Sequence, residues 1–544
     1  MLENSDNRIS FFIFCFFLLL AFIQCYKSVL PYSWGYDIDN YRDMANIETI
    51  LSGNYGKDPS YLNEYLWYNP LIYWMESLIV KITGLPVNLV ITKCGVYLNF
   101  LSPVLFFVML RYFFNSTIAL AATAAYLFFT ANNLPGWAVA TYSPWVFAAT
   151  LTQPVFYYGM VVLHKACVKE SLSSMLWFGF ITGFCFLGHT APTIILLLIM
   201  LILTLQKLIS QVKLKQFKEM RKLILTRAGA AIVFIITSLP LTYYIIGKYN
   251  LDLVNKITYE YINPLFAVHN FFILIQKNLS VSLFISIVGL IYFIFGWKKN
   301  LKEKMIFYWL IICVVFYIHS VAVSFLAAGF NIHLFGTVPS HHYFFYLKAL
   351  QAVFFGIGLY ALFFKWLPSL LNKINPVYAS KVKFSTNLFL VMLVLLVIVN
   401  YPSYSGRFDF ANIDKKVIEL DSEKWRYEAY FWIMKNTDIN DVFLAERELC
   451  DLPVLASGRK MVAVSATFSN AYIDYDSRNA DRNYLLESLL KEKEPEVEKM
   501  LNKYRVQYLV IRNNEIPTAK CIACYFPESV FKGSGLSIYK RQTE

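Results

Sequence analysis

Charged side chains are scarce in this chain: Asp, Glu, Lys and Arg make up 16% of 544 residues, against 57% hydrophobic and 18% aromatic ones. That ratio excludes a water-soluble globule, which needs more polar surface to cover a core of such size. Several signatures are missing too. There is no Gly-rich phosphate loop of Walker type, no H-E-x-x-H helix and no G-x-S-x-G elbow, so ATPase, zinc-peptidase and serine-hydrolase chemistry lack their groups. No small-residue cleavage site follows the first apolar run, where QCYKSVLPYSWGYD continues without an A-x-A pattern. The run is therefore expected to stay as an anchor. Cysteines number nine, and Cys15, Cys25, Cys94, Cys167, Cys185 and Cys313 lie in or beside apolar stretches as small packing residues. Cys521-Ile-Ala-Cys524 has no second pair, so four-cysteine zinc binding is unsupported, and a disulfide and two free thiols stay open. Cys450 also lies outside the apolar spans.

What is present is a series of apolar windows of the length that crosses a hydrocarbon core. Eleven occur, at roughly 9–30, 89–110, 117–133, 144–163, 172–189, 190–206, 226–247, 279–297, 306–327, 343–364 and 385–401. The fold class expected is a polytopic α-helical membrane protein of about eleven spans with a C-terminal extramembranous α/β domain. Residues 206–227, 298–304 and 365–383 carry net charges of +6, +3 and +4, which together equal the +13 of the whole chain. With eleven spans these loops share one side, the cytoplasmic one. The basic balance thus reports topology and contact with membrane lipids and gives no reason to expect nucleic acid. Residues 31–88 carry a net charge of −4 and face outward, with His189, residues 248–278, residues 328–342 and everything after 402. The expected setting is a prokaryotic plasma membrane, with the N-terminus cytoplasmic.

After Tyr401-Pro402-Ser403 the composition becomes mixed and alternating. Residues 421–436 and 481–503 read as helices, and 441–445, 460–464, 507–511 and 536–539 as strands. Two domains follow: 1–402, a membrane module including the outer loop 31–88, and 403–544, an outer α/β domain.

The outer loop opens with Trp34-Gly35-Tyr36-Asp37-Ile38-Asp39-Asn40-Tyr41. Asp39 can cap a helix from Asn40 to Ser52 with Gly53 as its stop signal. Tyr41, Met44, Ile47 and Leu51 then form one stripe, which suits a helix lying along the membrane surface. Tyr68-Asn69-Pro70-Leu71-Ile72-Tyr73-Trp74-Met75-Glu76 reads as a second amphipathic or re-entrant segment, ending near Gly84-Leu85-Pro86.

An N-terminal span, an outward loop opening on an acidic pair, YNPLIYW, TGLP before the second span, and Gly188-His189-Thr190-Ala191-Pro192 at a span end together resemble the GT-C glycosyltransferases. These include the polyprenyl-phosphate-sugar-dependent mannosyl- and aminoarabinosyltransferases. The tail, with GRKMVAV and YRVQYLVIR, resembles the outer domain of many prokaryotic members. The sequence departs from the family at Asn69, where NPL replaces the commoner PPL.

The resemblance implies a lipid-linked sugar, on a polyprenyl phosphate, as donor and a glycan, lipid or protein hydroxyl as acceptor, with inversion at the anomeric carbon. Such a displacement needs a carboxylate to take the hydroxyl proton and positive groups or a divalent metal for the departing phosphate. Asp37 is the first choice for the base and Asp39 for a metal or sugar contact, and their order is open. Alternation points both the same way, while a hydrated acidic loop in which Asp39 merely caps the helix is the competing reading. Tyr36, His189 and Glu64 are further pocket candidates.

For the phosphate, the candidates are His341, His342 and Lys348. A cation inside an apolar helix is expensive, so Lys348 either faces a cavity, where a lipid phosphate offsets the cost, or snorkels to the headgroups. Adjacent histidines on a helix diverge by about 100°, so at most one of His341 and His342 is expected to act. His333 and His269 are weaker candidates; His164 and His319 belong elsewhere. A transporter or flippase also shows many spans, but no matching halves appear here. A non-catalytic envelope assembly protein gives no use for the acidic pair.

Overall fold

The computed structural model describes residues 2–35, 37–255, 272–273, 275–296, 300–332, 334, 338–374, 385–489, 495–515 and 522–542. Tyr36, His269, His333 and Cys521 lie outside the described residues. The eleven apolar windows fall on helices, that at 89–110 on three in succession, Val87–Lys93, Gly95–Leu98 and Leu101–Phe113. Among the described residues, seven helices are long and apolar enough to cross a membrane: Arg8–Val29, Val87–Phe113, Thr190–Lys213, Phe217–Gly247, Leu301–Ala327, Ser340–Ile374 and Thr386–Ser405. Ser116–Phe129, Leu172–Gly188 and Val281–Phe295 are shorter apolar helices. Ala148–Lys169 is 22 residues long but buries Thr150, Thr152, Gln153 and Tyr157, so its window is less apolar. The chain is a multi-pass membrane protein.

The residues divide into two compact units: Met1–Leu30, Cys94–Ser238 and Asn263–Ala411 in the first, and Pro31–Lys93, Leu239–Ile262 and Asn412–Glu544 in the second.

In the first unit the Ser340–Ala361 helix is buried on nearly all sides. It meets the Val281–Gly296 helix where two glycines face each other: a Cβ on Gly289 would lie 1.8 Å from the Phe354 carbonyl oxygen, and one on Gly358 2.2 Å from that of Ile285. Small residues let the two backbones approach this closely, the usual way spanning helices gain packing without a hydrophobic drive. A π turn over Ala125–Phe129 releases backbone carbonyls from their usual partners. Side chains capture them: Thr141 Oγ1 donates to Tyr126 O at 2.9 Å, Asn400 Nδ2 to Phe128 O at 2.6 Å, and the buried Arg407 to Leu127 O at 3.3 Å. Without these donors the turn would leave acceptors unsatisfied in the bundle.

The second unit is built on a five-stranded sheet. Its strands are β1 (Val442–Ala445), β2 (Lys460–Met461), β3 (Val506–Arg512), β4 (Glu528–Lys532) and β5 (Leu536–Lys540), in the order β2-β1-β3-β5-β4. β1 runs parallel to β2 and β3, with Leu444 opposite Leu509, while β5 is antiparallel to both β3 and β4. Period-two alternation sends Phe443, Ala445, Tyr508 and Val510 into one core with Ala45, Tyr61 and Ile433. Leu444, Leu509 and Ile511 go into another with Leu485, Leu489, Val497 and Leu501. Both faces are covered, giving an α/β layering.

Two expectations change here. The helix after the acidic pair runs Ile38–Leu51, and its N-cap is Asp37 rather than Asp39. Nor does it lie along a membrane surface, since Met44, Ala45 and Ile47 are fully buried and Asp43, Glu48 and Thr49 nearly so. The apolar stripe has found protein partners, Ala45 and Tyr61 belonging to the sheet's own core.

Three separate chain segments are tied together in this unit by one hydroxyl. Tyr249 Oη accepts from Tyr65 N at 2.8 Å and Asn470 Nδ2 at 3.0 Å, and donates to Glu64 Oε2 at 3.1 Å. Asn470 also donates to Asp58 Oδ2 at 2.8 Å, and the buried Lys460 donates to Asp58 O at 2.8 Å.

Candidate functional site

The acidic candidates gather at the start of the Ile38–Leu51 helix. Asp37 Oδ1 accepts from Asp39 N at 3.0 Å, and Asn40 Oδ1 returns the bond to Asp37 N at 3.2 Å, a reciprocal capping box. Gly35 makes room for it, because a Cβ there would meet the Asn40 side chain at 2.5 Å. Burial, and the neighbouring Asp39 charge after it, push the Asp37 carboxyl above its ordinary range, although the cap bond, Arg42 and Lys416 oppose them.

One and two turns along, the same helix presents a charge cluster that sequence reading counted only as charge. Arg42 lies 3.3 Å from Asp39 Oδ1, and donates through Nε to Asp43 Oδ1 at 2.8 Å. Its guanidinium sits over the Tyr68 ring at 4.8 Å and the Phe468 ring at 5.7 Å. Asp43 is buried, and burial pushes its carboxyl up to about 6 despite Arg42. The Tyr73 hydroxyl is buried beside Asp43 and, like Arg42, opposes that rise. The signal was available: 39, 42 and 43 share one face of a helix at i, i+3 and i+4.

This donor set does not fit a divalent metal as arranged. A guanidinium already lies against one oxygen each of Asp39 and Asp43, so a cation shared by the two carboxylates would have to displace Arg42. Among the described residues, no group of three or more His, Cys, Asp or Glu side chains is placed to hold a metal ion.

Beside the acidic pair in sequence, Pro31–Trp34 forms one wall of a cleft of about 600 Å³. Its other wall carries Asp421, Lys424, Glu428 and Phe431. Trp34 is fixed by stacking on Tyr427 with centroids 4.2 Å apart. Glu64 sits elsewhere in the unit, half-buried in the Tyr249 knot. Burial raises its carboxyl, and no hydrogen bond or ion pair joins it to the Asp37–Asp43 group among the described residues.

The basic candidates belong to the first unit. His189 ends the Leu172–Gly188 helix and precedes Thr190–Lys213, with extended backbone at φ −163° and ψ 137°. Its Nε2 lies 3.1 Å from His342 Nδ1, and the His341 ring is 4.0 Å from the His342 ring. Trp137 meets His341 edge-on at 5.6 Å. His189 Nδ1 is buried with no hydrogen-bond partner. The divergence of neighbouring helix positions holds for contact with one atom, yet His189 approaches from another helix and makes three rings contiguous.

Lys348 follows His342 by six residues, about 9 Å along the helix. It is 1% exposed, so its ammonium lies inside the bundle and does not snorkel. It donates to Asn278 Oδ1 and to Gln351 Oε1, the latter at 2.6 Å. Both partners are neutral amides, no carboxylate pairs with it among the described residues, and Gln351 Nε2 is itself buried without a partner. Asn278 and Gln351 escaped sequence reading, since neither residue type announces a cation's partner.

No family model matches the chain, and no curated protein matches it either. Solved structures do. ArnT from Cupriavidus metallidurans bound to undecaprenyl phosphate aligns at a TM-score of 0.55 with 12% identity, over 97% of this chain and 98% of that one. The Archaeoglobus fulgidus oligosaccharyltransferase in the apo form aligns at 0.54 with 13% identity, over 92% of this chain and 70% of that one. The fold is shared with these ArnT and oligosaccharyltransferase structures. At such identity the likeness concerns architecture: apolar helices followed by a small sheet domain. The ArnT structure holds a polyprenyl phosphate, and another Archaeoglobus fulgidus oligosaccharyltransferase structure has an acceptor peptide tethered to it.

Proposed function

We propose that this chain is a glycosyltransferase that moves a sugar from a polyprenyl-phosphate donor to an acceptor hydroxyl with inversion, on the outer face of a prokaryotic plasma membrane. The N-terminus and the basic loops are cytoplasmic in this reading, and the 403–544 domain is outside. Asp37 takes the acceptor proton as the acceptor oxygen attacks the anomeric carbon and the bond to the phosphate oxygen breaks, its electrons leaving with the phosphate. The observation that carries the reading is the state of the Asp37 carboxylate: one oxygen is held by the helix cap, and burial has raised its proton affinity, as a general base requires. Asp39 is held by Arg42 and orients the acceptor sugar or hydroxyl.

Lys348 and the His189–His342 pair serve the other end, as donors to the lipid phosphate, with His341 beside them. An uncompensated ammonium beside an unpartnered amide suits an anionic group that adds the missing acceptors. Tyr36 belongs to the same outer segment as Asp37 and remains a candidate for the acceptor side, as does the Trp34 cleft.

The test is transfer from synthetic polyprenyl-phosphate hexoses and pentoses by the purified full chain, followed by mass spectrometry of lipid-linked sugars that accumulate when the protein is removed. Donor turnover lost in Asp37→Asn supports the reading. Undiminished turnover in that variant, or no change in any lipid-linked sugar, would refute it.

A further inference from the structure

At the far end of the Ser340–Ile374 span from His341, the helix is interrupted by a second π turn over Leu362–Trp366 and continues as Leu367–Ile374. There a groove of about 670 Å³ opens against the Thr386–Ser405 helix, lined by Leu362, Phe363, Leu370, Met392 and Lys373. π turns widen a helix locally and recur at functional positions. The turn carries an exposed Lys365, and Trp366 is anchored edge-on against Tyr292 at 6.4 Å. A tryptophan next to lysines at a span end is the signature of the headgroup level.

The chemistry of the groove is one-sided. Neither Ser340–Ile374 nor Thr386–Ser405 contains an acidic residue, so neither helix supplies a carboxylate to Lys373, which lines the groove, or to Lys365, which lies on the π turn outside the lining. The apolar lining asks for acyl chain, and the Lys373 ammonium in the groove, with the exposed Lys365 on the adjoining π turn, for phosphate. We propose that this groove is a binding site for an anionic phospholipid, held in the leaflet opposite to the one containing the His341 end of the same helix. A basic pocket between spanning helices is the kind of place where such headgroups are retained.

Native mass spectrometry of the full chain in mild detergent, mixed with equimolar phosphatidylglycerol and phosphatidylethanolamine of the same acyl chains, reads the site directly. Each lysine at a headgroup contributes about fivefold, so the wild type should retain phosphatidylglycerol over phosphatidylethanolamine by roughly 25-fold. Lys365→Gln with Lys373→Gln should bring that ratio to about one, and the matching double Arg variant should keep it. Leu370→Trp, which fills the groove, should lower retention of both lipids, while Lys415→Gln, on a 77% exposed side chain elsewhere, should change nothing. Equal retention of the two lipids by the wild type, an unchanged ratio in the double Gln variant, or displacement of phosphatidylglycerol by an equimolar polyprenyl phosphate would each overturn the assignment. None of these readouts involves sugar transfer, so they stand or fall apart from the proposed activity.

Discussion

Asn40 Oδ1 accepts the backbone N–H of Asp37 at 3.2 Å, while Asn40 N donates to Asp37 O at 3.0 Å. The proposed base is therefore locked in the backbone of a helix start, with one carboxylate oxygen spent on the cap. Its orientation is set before any substrate arrives, which is what proton abstraction in a single geometry asks of it.

Cap and base can be separated by two substitutions. Asparagine caps helices about as well as aspartate, so Asp37→Asn should leave the melting temperature nearly unchanged and lower turnover by about 10²–10⁴-fold. Asp37→Ala should lose the same activity and about 1 kcal/mol of stability besides. Thermal melts and transfer assays on the two variants, side by side, distinguish the contributions; equal stability of both would show the cap to be idle.

Removing Arg42 should be far more damaging. Arg42→Gln leaves Asp39 and the buried Asp43 without their counter-charge, and breaking a buried pair costs about 3–5 kcal/mol. Asp43→Asn in the same chain should recover much of that loss, as a double-mutant cycle in denaturant would record.

The buried carboxylates set a pH dependence whose sign can be worked out. Burial raises Glu48 from an ordinary 4.5 to about 7, although Tyr430 Oη donates to it at 3.1 Å. The folded state then holds a proton that the unfolded state has released between those values, so stability is greatest below about pH 4.5 and falls as pH rises through 7. Glu48→Gln should flatten that slope and stabilise the protein at pH 8 by on the order of 1–3 kcal/mol. An unaltered profile in chemical denaturation across pH 4.5–8 would place the charge in contact with water.

Lys348 offers a fourth test. Lys348→Met removes a buried charge whose partners are neutral, so folding should be retained or improved. The donor KM should rise by about tenfold or more while the acceptor KM stays within about twofold, as expected for a lost phosphate contact. Initial rates with each substrate varied in turn give the answer, and a uniform loss in kcat alone would move Lys348 out of the donor site.

Much of the fold was legible because its signals are local. Apolar windows fell on helices at every position, and the alternating stretches at 442–445 and 506–512 became strands. β4 was missed because Glu528–Lys532 sits at a sheet edge with no buried face to impose alternation. The helix start was displaced because Asp37 and Asp39 are equally good caps by residue type. Asn40 and the missing side chain of Gly35 decide between them. The site was less legible than the fold for the same reason. Asn278 reaches Lys348 across 70 residues, and His189 reaches His342 across 153, distances at which periodicity says nothing.

The Tyr249 knot has a consequence for biosynthesis. Its hydroxyl joins Tyr65, Glu64 and Asn470, and the core that receives Ala45 also needs Ile538 near the end of the chain. During translation at about 5–20 residues per second, the segment bearing Asp37 thus waits on the order of 25–100 s for the strands that bury it. Through that interval its aromatic and acidic side chains lack the core that later covers them, which makes the loop after the first span a part of the nascent chain that gains from a chaperone.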